Sequence, residues 1–185
     1  MTTEELEGLL EGAAETASLE FKGPMNWDIG IVKDILAMSN VVDGGTIVVG
    51  VDDGTFARVG LTEAQVTSFN SDIMHDQVGN YADPVVRFRV EAPEDLQGNH
   101  YVAIVVEPFL ELPVICKKNN NDVHVGEIYF RSDTQRPASA RVSNSNDMRD
   151  ILERAIFRRR NKLVQYGWVG GVDVVATFDA ELGGL

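Results

Sequence analysis

Ala37-Met38-Ser39-Asn40-Val41-Val42-Asp43-Gly44-Gly45-Thr46-Ile47-Val48-Val49-Gly50-Val51-Asp52-Asp53-Gly54 decides how this chain folds. Upstream of Asn40, Ile29, Val32, Ile35, Leu36 and Ser39 recur at helical spacing and Asp28 is placed to cap them. The spacing predicts a helix with one face for packing on a sheet. Asp43-Gly44-Gly45 breaks the period, since glycine reaches backbone conformations closed to other residues. Thr46 to Val51 is then β-branched and apolar without polar alternation, which predicts a central strand covered on both faces. Helix, glycine turn and buried strand in that order predict an α/β protein of mixed α+β character: a single domain with a mixed β-sheet flanked by helices.

Working outward, Leu19-Glu20-Phe21-Lys22 alternates apolar with charged residues before Gly23-Pro24, a short strand ended by a turn. Glu4 to Leu10 reads as a brief helix, weakened by Gly8 and Gly12. Thr62 caps a further helix expected to run to about Val78. Val86, Phe88 and Val90 alternate with Arg87, Arg89 and Glu91, a strand with one wet, arginine-bearing face. Gln97-Gly98-Asn99 turns the chain into Tyr101 to Val106, a second buried strand. After Asn119-Asn120-Asn121, Val123 to Arg131 alternates again. The last helix is capped by Ser145 or Asn146, with Met148, Ile151, Leu152, Ala155 and Ile156 as its apolar stripe and Arg154, Arg158, Arg160 and Lys162 mostly off it. This divides the chain into a domain over residues 1–163 and a glycine-containing extension over 164–185.

No stretch approaches the roughly 18 uninterrupted apolar residues of a membrane span. Met1-Thr2-Thr3-Glu4-Glu5 has acids where a secretory signal has basic residues, which predicts a cytoplasmic protein. The single cysteine, Cys116, excludes an internal disulfide and a thiolate metal cluster, and reads as a buried, inert thiol. A net charge of −13 argues against a protein that coats nucleic acid indiscriminately. The charge is uneven, however: residues 117–162 carry 11 Lys and Arg against 6 Asp and Glu, whereas residues 1–116 carry 5 against 20.

The glycine run lacks a phosphate-binding lysine motif and does not open a helix after a strand, so it does not predict nucleotide hydrolysis. His75, His100 and His124 have neither ligand spacing nor a nucleophile nearby in sequence. The candidates for phosphate contact are Arg87, Arg89, Lys117, Lys118, Arg131, Arg136 and Arg141, with Arg154, Arg158, Arg159, Arg160 and Lys162 on the last helix. For that helix the competing reading is a solvated face or internal pairing with Asp and Glu. Tyr166, Trp168 and Phe178 give the extension aromatic anchors suited to a protein interface.

Glu15-Thr-Ala-Ser-Leu-Glu20-Phe21-Lys22, taken with the Ala37 to Gly54 stretch, resembles the Schlafen-type AlbA domain. That family pairs an E-x-x-x-x-E-F-K strand with a helix ending in A-x-x-N, a Gly-Gly turn and a strand closing in G-V-x-D. The likeness continues through Val59-Gly60-Leu61, Leu112-Pro113, Ile128-Tyr129-Phe130-Arg131 and Pro137-Ala138, spanning roughly residues 10–155. It departs at Ser132-Asp133, where the family tends to have Gly.

The resemblance implies a nucleic-acid-binding domain, with RNA or DNA as partner. Some members are divalent-metal endoribonucleases cutting structured RNA such as tRNA, and others are described as DNA-binding or regulatory modules. Carried over, the catalytic and metal-ligating carboxylates are Glu15, Glu20 and Asp53, with Lys22 beside them and Asp52 as the neighbouring alternative. Mg²⁺ or Mn²⁺ suits such an all-oxygen site, and Lys22, two residues from Glu20, shares its strand face. The other reading makes Lys22 a surface lysine and Glu15 a solvated residue of an acidic chain. Since members often clamp nucleic acid between two lobes, the resemblance also implies a homodimer.

Overall fold

The computed structural model describes residues 1–12, 14–132 and 138–168. Helix α1 (Thr3–Glu11) opens with a capping box in which Thr2 and Glu5 satisfy each other's backbone amides. Strand β1 (Leu19–Lys22) follows, then a 3-10 turn (Ile29–Ile31) capped by Asp28 that leads into α2 (Val32–Ser39) and β2 (Gly45–Val49). The α2 crossover lets β1 and β2 run parallel, with Glu20 opposite Ile47 and Lys22 opposite Val49.

The segment expected as one helix to Val78 is two, α3 (Glu63–Ser68) and α4 (Ser71–Gly79). Between them Phe69 leaves helical geometry to bury its ring, and Asn70 accepts the amides of Asp72 and Ile73 to start the second helix. Strands β3 (Ala82–Asp83), β4 (Phe88–Glu91), β5 (Val102–Val106), β6 (Ile115–Cys116), β7 (Tyr129–Arg131) and β8 (Ser139–Arg141) precede the final helix α5 (Ser145–Gln165). Only the last three residues of the alternating 123–131 run are strand. Asn119 and Asn120 side chains hold the preceding segment in turns by accepting the amides of Val125, Asp122 and Val123.

Among the described residues the main sheet has the order β1-β2-β5-β4, antiparallel except for β1 with β2, so the Thr46–Val49 run is central as expected. One face packs on α1 through Leu6, Leu10, Leu19, Phe21, Val48 and Tyr101. The other packs on α2 and extends to β7 and α5, through Ile35, Met38, Ile47, Ile104, Tyr129 and Ile151.

The glycine turn is sterically compelled. Gly44 has φ +76°, and a Cβ there would lie 2.1 Å from the Val106 carbonyl oxygen; one on Gly45 would lie 2.9 Å from that of Ser18. Asn40, fully buried just before this turn, ties the layers together. Its amide nitrogen lies 2.9 to 3.2 Å from the carbonyls of Leu36, Val114 and Tyr129, and its oxygen accepts the Val114 amide at 2.8 Å.

Helix α5 departs from expectation in three ways. Its cap is Asn144, which accepts the Asp147 amide at 2.9 Å. Of the expected stripe, Ile151 and Ala155 are buried, whereas Leu152 and Ile156 face solvent. Its body-facing side is completed by arginines. Arg154 donates to the Asn40 carbonyl at 2.7 Å and lies over the Phe109 and Phe130 rings, and Arg158 donates to the carbonyls of Val42 and Phe109. The helix continues through Val164 and Gln165 into the expected extension, whose residues 169–185, with Phe178, lie outside the described residues.

Candidate functional site

On the α2-facing side of β1, five charged side chains come together. Lys22 Nζ donates to Glu20 at 2.6 Å and contacts Asp34 at 3.0 Å. Arg131, wholly buried on β7, pairs with the second oxygen of Glu20 and donates to the Thr16 and Leu19 carbonyls and the Ser139 hydroxyl. Glu15 accepts the Phe21 amide at 3.3 Å beside them. Strand alternation explains the pairing of Glu20 with Lys22, since residues two apart share a face.

The electrostatics follow from crowding in a poorly solvated place. Burial, and then the charge of Glu20, push the Glu15 carboxyl above its ordinary range, against the Phe21 amide and Arg131. For Lys22 burial favours the neutral amine, but Asp34 and Glu20 outweigh it and the ammonium is held up. Asp34 was missed in the sequence. The available signal is that it is an acid on a helix whose other residues, Lys33 and Ser39 aside, are apolar.

Asp53, the third expected carboxylate, is exposed in the turn after β2 and joins no ion pair with this cluster. Asp52 is spent locally, accepting the Thr55 amide and hydroxyl, each at 2.7 Å, in a turn that lowers its pKa. Among the described residues no three His, Cys, Asp or Glu side chains are grouped so as to hold a metal ion. With both Glu20 oxygens bound to cationic side chains and Asp53 outside the cluster, these residues as placed do not fit a divalent cation.

The expected phosphate-contacting residues divide. Arg131 is not available to a ligand, because it is fully buried and neutralises Glu20. Arg154 and Arg158 are committed to backbone carbonyls of the domain, and Arg159 and Lys162 both pair with Glu111. Arg89 is exposed but bonded to Glu91 at 2.6 Å, and Arg141 to Glu127 at 3.1 Å. Arg87, Lys117, Lys118 and Arg160 are exposed and make no ion pair among the described residues. Arg136 lies outside the described residues. Cys116 is buried as expected, and burial raises its thiol pKa.

One of the free cations edges a groove of about 380 Å³ lined by Trp27, Asp28, Gln77, Asn80, Tyr81 and Lys118. Lys118 Nζ sits 5.1 Å over the Tyr81 ring, the half-buried Trp27 donates its indole N–H to Gln77 at 2.8 Å, and the Lys117 backbone is pinned to the Tyr81 carbonyl. Sequence reasoning found the two lysines but not the groove, whose walls come from three segments far apart in the chain.

A four-stranded mixed sheet with one parallel pair, helices on both faces and an acid–base cluster on its edge strand defines an α/β module. No helix among the described residues is long and apolar enough to cross a membrane. Residues 15–139 match the Schlafen, AlbA_2 family, and the chain belongs to it. Two solved structures are similar. The N-terminal domain of a RecG-related protein from Nitrosomonas europaea aligns with TM-score 0.51 at 18% identity, over 78% of this chain and 97% of that one. The DIP2311 protein from Corynebacterium diphtheriae aligns with TM-score 0.51 at 16% identity, over 79% of this chain but only 27% of that one. At these identities the likeness is one of fold. No curated protein matches.

Proposed function

We propose that this chain is a nucleic-acid-binding domain that engages single-stranded or unpaired nucleotides at the Trp27–Tyr81–Lys118 groove. The observation that carries the reading is the composition of that groove. It combines the half-buried Trp27 ring for stacking, the Gln77 and Asn80 amides for base edges, and Lys118 at its edge, next to the exposed Lys117, as a cation for phosphate. Membership of the Schlafen, AlbA_2 family supports it, and so does the description of the Nitrosomonas protein as related to an ATP-dependent DNA helicase. A localised site also reconciles nucleic-acid binding with a net charge of −13, since only a few cations must face the ligand.

The finer reading, a divalent-metal endoribonuclease acting on structured RNA such as tRNA, requires Glu15, Glu20 and Asp53 to converge. Glu20 would first have to release Lys22 and Arg131. Incubation of tRNA with the protein and Mn²⁺, beside Glu20→Ala, separates the two. Binding without cleavage by either protein supports the binding module, and cleavage by the wild type alone establishes the nuclease. Absence of binding to any RNA or DNA at low salt removes both.

A further inference from the structure

We infer that the outward face of α5 is a self-association surface, on which a second copy of this chain packs its own α5 antiparallel about a two-fold axis between Ile156 and Phe157. The inference goes beyond nucleic-acid binding and does not depend on it. Arg149, Glu153, Ile156, Arg160 and Val164 recur every three or four residues and so share one face, flanked by Leu152 and Phe157. The opposite side, with Ile151, Ala155 and Arg158, is the one turned to the body of the domain. Ile156 and Phe157 are 69% and 65% exposed, with Leu152 and Val164 also in solvent. Adjacent apolar side chains on a charged helix mark a contact surface.

Charge placement selects the occupant. Glu153 and Arg160 flank Ile156 and Phe157 at equal separations, and neither makes an ion pair among the described residues, although Arg154, Arg159 and Lys162 on the same helix all do. In an antiparallel two-fold pair each Glu153 meets Arg160 of the other copy, twice over, while Ile156 meets Phe157. A parallel pair would set Glu153 against Glu153 and Arg160 against Arg160. Self-complementarity of this kind is the property an isologous interface requires. Nucleic acid is the poorer occupant: Arg149 and Arg160 offer it cations, but the centre of the face is apolar and Glu153 would be left facing phosphate.

Sedimentation of the full chain from about 1 to 200 µM, a range suited to a small interface, tests the inference. The expected result is a concentration-dependent shift toward twice the monomer mass. Glu153→Arg and Arg160→Glu should each weaken association roughly tenfold or more, and E153R/R160E together should restore it to within about threefold. Phe157→Ala should weaken it without rescue by either charge reversal. Both charged side chains are exposed, so unchanged melting curves confirm that the variants are folded. A wild-type chain that stays monomeric at the highest concentration overturns the inference, as does a double variant no better than the singles. Loss of nucleic-acid binding by Arg160→Glu with the mass unchanged also overturns it, assigning the residue to phosphate.

Discussion

Arg131 and Glu20 form a buried pair whose members are not interchangeable with neutral groups one at a time. Arg131 has no solvent exposure and holds one Glu20 oxygen together with two backbone carbonyls. Arg131→Ala leaves a desolvated Glu20 carboxylate oxygen without its cationic partner, and should cost about 3–5 kcal/mol in urea denaturation. Glu15 behaves oppositely. Folding raises its pKa, so the folded chain binds more protons than the unfolded one just above the ordinary carboxylate range. Its contribution is therefore most favourable at acid pH and is lost as pH rises through that window. Glu15→Gln keeps the acceptor for the Phe21 amide and should raise Tm at pH 7.5, on the order of 1–2 °C. The gain should vanish near pH 4, where the wild-type carboxyl is itself protonated. Glu20 and Lys22 were legible as one site because strand alternation is a local rule. The partners that commit them, Asp34 and Arg131, come from a helix and a distant strand that no short pattern joins to β1.

At the scale of elements, the α2–turn–β2 unit was readable because its determinants are adjacent in sequence: helical spacing, two glycines and a β-branched run. What anchors the unit is long-range. Asn40 bonds to Val114 and Tyr129, and the carbonyls just beyond the C-terminus of α2 receive Arg154 and Arg158 from α5. Asn40→Ala should cost about 3 kcal/mol by chemical denaturation, since the Val114 amide loses its acceptor inside the core. Asn40→Asp should be at least as damaging, because it sets acceptor against acceptor. The same contacts explain why α5 misled a reading based on periodicity. Its arginines have long apolar stems that cover the core while their heads reach carbonyls, so residues that look like a solvated, phosphate-binding face point inward. The apolar residues Ile156 and Phe157 are displaced outward.

Over the whole molecule, a strongly acidic chain leaves few cations free, and internal pairing rather than the count of basic residues decides which they are. Lys117 and Lys118 are free beside an aromatic and amide-lined groove, whereas most of the α5 cluster is not. The most direct measurement is the anisotropy of a labelled single-stranded RNA titrated with wild type and with Lys117→Glu/Lys118→Glu between about 50 and 200 mM salt. The prediction is salt-sensitive binding by the wild type, weakened at least tenfold in the variant, with the slope of log K against log salt reduced by about 1.4 for two lost single-strand phosphate contacts. Equal affinity and slope for the two proteins would contradict the account.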